Sequence, residues 1–253
     1  MLGTFSIVPI LWPLNLNAEE FRLQTAKVEA DKGNAEAQFK LGRAYARGEG
    51  MPQDNGKALE LFRKSAEQGF ALGQTALGLM LADGKGTAQD PKQAAQWYRK
   101  AAEQGQMDAQ VLLGQLYYFG APPVDQDYAE SLKWLTKAAT RGNAVAQNIL
   151  GVMYEEGRGV QRQLTQAADW YLKAAEQGQA EAQCSLGTMY SNGEGIELRN
   201  AKAYQWLTLS AEQGNVMAQK VIEDIKDNLT PDQIAEGKRL IEEFRARSTK
   251  RPK

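Results

Sequence analysis

The sequence predicts an all-α fold: a solenoid of stacked antiparallel helix pairs. Three observations predict it. The first is an internal repeat. The anchor Ala-x-Ala-Gln stands at Ala35–Gln38, Ala144–Gln147 and Ala180–Gln183, with weaker copies at Ala71–Gln74, Met107–Gln110 and Val216–Gln219. The second is the internal pattern of each unit. Two segments, each long enough for about three helical turns, are separated by glycine at both junctions, which reads as helix A, turn, helix B, turn. The third is composition. Ala, Gln, Gly, Glu, Lys and Leu are abundant, and Val, Ile and Thr form no alternating runs, which favours helices over strands. A lone antiparallel pair cannot bury both its faces, so neighbouring pairs must stack.

Taken in order, the segment 1–17 opens with the apolar, uncharged stretch MLGTFSIVPILWPLNL at residues 1–16. One reading is a secretory signal, with Phe5 to Leu14 as the apolar region and Ala18 last before cleavage; the chain would then be periplasmic or secreted. No Lys or Arg precedes the apolar run, and Leu16 is larger than the small residue preferred there. The alternative is an apolar extension packed on the first helix of a cytoplasmic protein. Asn17 with Glu20 forms a candidate capping box for that helix, which cleavage after Ala18 would remove. Residues 18–34 match only the second half of a unit and read as a leading cap helix.

Five full units follow, at 35–70, 71–106, 107–143, 144–179 and 180–215. The anchor recurs every 36 residues, with one unit of 37. After it come Leu-Gly (Leu41-Gly42, Leu77-Gly78, Leu113-Gly114, Leu150-Gly151, Leu186-Gly187) and then Tyr45, Leu81, Tyr117, Tyr154 or Tyr190. A Gly-x-Gly turn stands at 48/50, 84/86, 157/159 and 193/195. Helix B carries Leu61-Phe62, Trp97-Tyr98, Trp134-Leu135, Trp170-Tyr171 or Trp206-Leu207. Asp90-Pro91-Lys-Gln93 and Asp127-x-x-Glu130 read as helix-B starts with capping boxes. The third unit departs from the pattern, with one extra residue and Gly120-Ala-Pro122-Pro123 in place of Gly-x-Gly.

Residues 216–247 form a degenerate capping repeat, as the end of a solenoid requires. Glu223 stands where the anchor glycine belongs and Lys226 where the tyrosine belongs. Thr230-Pro231-Asp232-Gln233 is a strong start for a last helix. Residues 248–253 are a short basic tail.

The pattern Ala-x-Ala-Gln-x-x-Leu-Gly-x-x-Tyr-x-x-Gly-x-Gly, followed by Ala-x-x-Trp-Tyr-x-Lys-Ala-Ala-Glu-Gln-Gly, resembles the Sel-1-like repeat, of the tetratricopeptide-type α-solenoids. The resemblance covers residues 35 to 215. It implies a right-handed α-solenoid superhelix and a role as a non-enzymatic adaptor in protein assembly, with helix A lining a concave surface.

A helix turns about 100° per residue, so helix-A positions sort by direction. With the first Ala of the anchor as position 1, positions 3, 4, 7, 8 and 11 share one side and recur, as a repeat–repeat core would. Position 10, mostly apolar, widens that stripe. Positions 2, 5, 9, 12 and 13 point the other way and vary. In units two to four they supply Leu72, Leu79, Val111, Gln115, Tyr118, Phe119, Val145, Asn148 and Val152, the candidate strip for a protein or peptide partner. In units one, five and six they are mainly polar, among them Glu36, Arg43, Arg47, Glu181, Asn192, Asp224 and Asp227. The competing reading buries part of this strip between neighbouring A helices.

Other function classes find little footing. The net charge is −1 and no basic domain stands out, so nothing points to nucleic acid. No run of about 20 apolar residues calls for a membrane span. The chain has no His, so the commonest general base and metal ligand is missing, and Cys184, expected at an exposed position, has no imidazole to activate it. The Gly-x-Gly pairs follow no strand and precede no Gly-Lys-Ser/Thr, so they are turns rather than phosphate loops. Glu155 and Glu156 are adjacent on a helix and diverge. No cofactor is called for, and a monomer is expected. The alternative is an exported envelope or host-interaction factor with peptide- or cell-wall-directed hydrolase activity, which no residue constellation supports.

Overall fold

The computed structural model describes residues 18–249. Residues 1–17, with their signal-peptide and capping readings, and residues 250–253 of the tail lie outside that range. The elements are α1 (Ala18–Asp31), α2 (Ala35–Arg47), α3 (Asn55–Glu67), α4 (Ala71–Asp83), α5 (Pro91–Glu103), α6 (Met107–Phe119), α7 (Tyr128–Thr140), α8 (Ala144–Glu156), α9 (Leu164–Ala175), α10 (Ala180–Asn192), α11 (Asn200–Glu212), α12 (Val216–Ile225), a short 3-10 turn and α13 (Pro231–Ser248). The fold is an all-α solenoid of helix pairs. The even-numbered helices α2 to α12 are the A helices, and the odd-numbered α3 to α11 are the B helices. The chain divides into two compact blocks, Met1–Trp97 and Tyr98–Lys253. In the first, α1 packs on α2, α2 on α3 and α3 on α4. In the second, each helix from α6 to α11 packs on the next, and α13 lies on α11.

Capping residues and glycines set the helix limits. Asn34, Gln106, Asn143, Gln179 and Asn215 each follow a glycine, and each side chain accepts from the backbone N–H at the third position of its A helix. Phe70 holds the same place before α4 and makes no such bond. At the far end, Gly48, Gly84, Gly157 and Gly193 are left-handed, at φ of 70°, 67°, 74° and 70°, a conformation that strains residues with a Cβ. Asp54 and Asp127 cap α3 and α7, and at α5 the carboxylate of Asp90 takes both the backbone N–H and the side-chain amide of Gln93. The capping box expected at Asp127 and Glu130 forms only by half. Asp127 accepts from the N–H groups of Ala129 and Glu130, while the Glu130 carboxylate turns to Lys133, Trp134 and Arg99. At Thr230 and Gln233 both halves are present.

In units one, three, four and five, helix A meets helix B through the anchor glycine. A Cβ built on Gly42 would stand 2.8 Å from the Phe62 ring, one on Gly114 2.6 Å from Leu135, and one on Gly187 2.7 Å from Leu207. At Gly151 it would collide with the edge of the Tyr171 ring. The partners Phe62, Leu135, Tyr171 and Leu207 are buried. The fixed aromatic or apolar pair of helix B is therefore core at its second member. At the first member, Trp134 and Trp206 are buried, whereas Leu61, Trp97 and Trp170 are half-buried. The second glycine of the turn serves the contact between units: a Cβ on Gly159 would stand 2.6 Å from the Tyr128 carbonyl, at the start of the preceding B helix.

A ladder of buried glutamines joins the same elements. Gln38, Gln74, Gln110, Gln147 and Gln183 are buried, and each donates to an alanine carbonyl near the end of the preceding helix, at 3.3, 3.3, 3.1, 3.0 and 3.1 Å. Their own side-chain oxygens accept in turn. Gln68 donates to Gln38 at 2.7 Å, Gln177 to Gln147 at 2.7 Å and Gln213 to Gln183 at 2.8 Å. The third unit has Arg141 at this place. Its guanidinium donates instead to the Gly105 carbonyl at 2.6 Å, and Oε1 of Gln110 is buried without a donor.

The third unit absorbs its extra residue in the turn between α6 and α7. Ala121 and Val124 exchange backbone hydrogen bonds of 2.9 and 2.7 Å, and the Pro122–Pro123 peptide is cis. Gln126 still donates to the Phe119 carbonyl at 3.1 Å, as Gln53 and Gln89 do to Ala46 and Ala82 in regular turns at 3.0 and 2.8 Å. The turn thus keeps its closing bond while losing the second glycine.

Two stability predictions follow from these contacts. Gly151→Ala forces the buried Tyr171 ring to move and should cost about 1–3 kcal/mol, read as a lower denaturant midpoint. Arg141→Gln supplies the donor that Gln110 lacks. An unpaired buried acceptor costs about 1–3 kcal/mol, so this change should raise stability by about 1 kcal/mol despite losing the exposed bond to Gly105.

Candidate protein-binding face

The recurring residues of each A helix face its B helix and the preceding unit, so the variable positions form the outer surface of the A-helix layer. Position 9 is the centre of that surface. Positions 2 and 13 flank it on one side, roughly 20° and 40° away on the helical wheel, and positions 5 and 12 flank it on the other, roughly 40° and 60° away.

In the N-terminal block, Leu72 and Leu79 lie on one face of α4, two turns apart, and are 41% and 40% exposed. On α2, Arg43 and Arg47 are exposed, and Arg47 pairs with Glu49. Phe39 is half-buried against Phe62 and Phe70, with ring centroids at 5.9 and 5.7 Å.

In the C-terminal block, Phe119 is 65% and Val145 40% exposed, and Gln115, Asn148 and Val152 are half-buried. Two candidate residues are not on the surface. Val111 is 8% and Tyr118 6% exposed. They occupy positions 5 and 12, which the side-by-side packing of A helices turns toward the next unit. Val111 joins Ile149 and Val152 in a common core cluster. The Tyr118 hydroxyl accepts from the Arg158 guanidinium at 2.9 Å, and its ring meets Tyr128 at 5.7 Å and Phe119 at 4.9 Å. In the N-terminal block, Thr75, at position 5 of α4, is also buried, and its hydroxyl donates to the Ala71 carbonyl at 2.9 Å. Cys184, also at position 5, is half-buried rather than exposed, and burial pushes its thiol up.

Arg158 is a part of this surface that no motif marked. It stands between the two glycines of its turn, pairs with Glu156 at 2.5 Å, and lies over the rings of Tyr118 and Tyr128 at 5.3 and 5.7 Å. Burial acts to lower its pKa, but the neighbouring Tyr118 and Glu156 hold it above its ordinary value. Glu155 turns the other way and accepts from the Tyr171 hydroxyl at 2.5 Å, so the adjacent carboxylates diverge. A second network joins Arg99 to the Tyr117 hydroxyl at 2.5 Å and to Glu130 at 3.3 Å. Oδ1 of Asn148 is buried without a donor. Among the described residues, no group of three His, Cys, Asp or Glu could hold a metal ion, and no helix is long and apolar enough to cross a membrane.

This architecture, with helix pairs repeating in register and a variable outer face on the A layer, defines a repeat solenoid of the tetratricopeptide type. The Sel1 repeat model matches residues 35–70, 71–106, 108–143, 144–179 and 180–215, and the chain belongs to the Sel1 repeat family. Among solved structures, it is similar to a Sel1 repeat protein from Oxalobacter formigenes, with 33% identity, a TM-score of 0.72, and coverage of 83% of this chain and 88% of that one. It is also similar to c5321, a protective antigen of uropathogenic Escherichia coli strains with an SLR fold, with 31% identity and a TM-score of 0.60. That match covers 88% of this chain but 55% of the other. No curated protein sequence matches the chain. Sel1 repeat proteins generally act as protein-interaction scaffolds, and nothing in the comparisons supports the hydrolase alternative.

The buried tyrosines predict a pH dependence. Burial raises the pKa of Tyr118, and burial followed by the Glu155 carboxylate raises that of Tyr171. Their stabilising contribution is complete below the unfolded value of about 10. Above it the unfolded chain binds fewer protons than the folded one, so stability falls as pH rises through the folded values. Tyr118→Phe with Tyr171→Phe should flatten that alkaline decline in the denaturant midpoint.

Proposed function

We propose that the chain is a non-enzymatic scaffold that binds a partner protein or peptide on the outer face of its A helices. One observation carries the reading. Leu72 and Leu79 in the N-terminal block, and Phe119 and Val145 in the C-terminal block, are large apolar side chains left at least two-fifths exposed. All four occupy positions that do not recur and that the repeat does not need for stacking. Within each block, apolar residues grouped on the A-helix face mark a contact surface more often than those scattered singly. In the C-terminal block, Gln115 and Val152, half-buried on the same helices as Phe119 and Val145, contribute the edge of that block's surface. Val111 and Tyr118 support it from beneath.

The test separates surface from core. Leu79→Asp and Val145→Asp should leave the helical circular-dichroism signal and the melting temperature nearly unchanged, and should abolish capture of the partner that the parent chain retains. Val111→Asp places a charge in the core and should instead lower the melting temperature steeply. Retained capture by both surface variants, or turnover of a substrate without a stable partner, would overturn the scaffold reading.

A further inference from the structure

The outer face of the C-terminal block has a charge pattern that the repeat does not explain. Its outward positions are 2 and 9 of α6, α8, α10 and α12, and 13 of the first three helices. They hold carboxylates at Asp108, Glu156, Glu181 and Asp224, and neither Lys nor Arg. Glu156 is paired with Arg158 from the neighbouring turn, and Asp108 accepts from Gln106 at 3.2 Å and has no ion pair among the described residues. Glu181 and Asp224 have no ion pair among the described residues. The apolar members Val145, Val152 and Phe119 lie between these carboxylates. At position 2, three successive A helices read Asp108, Val145, Glu181: acid, apolar, acid. This is a local property, because the whole chain is nearly neutral at −1.

We propose that this face takes an extended, cationic–apolar polypeptide segment, with an apolar side chain over Val145 and a Lys or Arg on either side reaching Asp108 and Glu181. The inference rests on the scaffold reading and names its partner's chemistry. Packed helix axes stand roughly 8–10 Å apart. A polyproline II segment has three residues per turn and rises about 3.1 Å per residue, so it presents one side chain on a given side every ~9 Å. A segment laid across the A helices in that form matches the helix spacing, with the sequence period basic, x, x, apolar, x, x, basic. Arg158, the cation this surface does carry, is paired with Glu156, and positions 2, 9 and 13 hold neither Lys nor Arg, which disfavours phosphate-bearing partners, since nucleic acid requires Lys and Arg for its backbone.

The test uses the full chain and a fluorescent polyproline peptide carrying Lys, Leu and Lys at every third position, followed by anisotropy. A counterpart with Glu for Lys is the control. The lysine peptide should bind at least about tenfold more tightly than the glutamate peptide. That advantage should vanish between about 0.01 M and 1 M salt, where the Debye length falls from about 30 Å to about 3 Å. The neutralising pair Asp108→Asn with Glu181→Gln, at exposed positions that should leave the fold intact, should remove most of the preference. Equal affinity for the two peptides, or no binding of either, overturns the inference. If Val145→Asp abolishes binding and the neutralising pair does not, the face stands as a binding site and the charge complementarity falls. Binding that emerges only after removal of residues 249–253 would assign the face to the chain's own basic tail. Self-association dissolved by the neutralising pair would assign it to a second copy. Either result overturns the inference as stated.

Discussion

The close approach of helix A to helix B at the anchor glycine is the contact on which the rest of this solenoid depends. Gly42, Gly114, Gly151 and Gly187 leave room for a buried ring or leucine that stands where a Cβ would be. Glycine in a helix interior costs roughly 0.5–1 kcal/mol relative to alanine, so its presence in every unit needs a return. That return is burial of Phe62, Leu135, Tyr171 or Leu207 against bare backbone, with dense packing and the hydrophobic stabilisation that follows.

The glutamine ladder secures this arrangement in a different way. Hydrophobic contact is tolerant of direction, whereas a buried amide must find its partners. Each anchor glutamine is tied to a carbonyl of the preceding helix, and Gln38, Gln147 and Gln183 also accept from the end of their own unit's helix B. A slip of one unit against the next would leave these groups unpaired. The ladder therefore fixes register, and the glycines fix distance. Unit three shows how far one unit can depart. It lacks the second turn glycine and the closing glutamine, yet it keeps its turn-closing bond from Gln126, and Arg141 reaches the Gly105 carbonyl directly.

Stacking and binding divide the residues of helix A between them. Ala146, Gln147, Leu150, Gly151 and Met153 are buried and do much the same work in every unit. What distinguishes one unit's surface from another's is left to positions 2, 9 and 13. There the N-terminal block has Leu72 and Leu79 beside arginines, and the C-terminal block has Val145 and Phe119 beside carboxylates. Family membership rests on the first group of residues. In the scaffold reading we propose, partner choice rests on the second.

The helix pairs were legible in the sequence because their signals are local. A glycine that only the left-handed region suits, a cap residue and a period of 36 need no knowledge of distant neighbours. Much of the candidate face was legible too: Leu72, Leu79, Phe119 and Val145 were placed outward by helical period and are exposed. Val111 and Tyr118 were not, because a helical wheel says which way a side chain points and not what stands there. Those two positions point toward the neighbouring A helix, and only the stacking of units decides that Val111 meets Ile149 and that Tyr118 is covered by Arg158, 40 residues away. The unpaired Gln110 is of the same kind. Its missing partner is a single substitution, Arg141, whose meaning depends on the ladder it interrupts. The sequence by itself determined which segments are helices and which residues hold them together. Tertiary structure decided which variable residues remain at the surface, because burial is a property of neighbours and the neighbours come from other repeats.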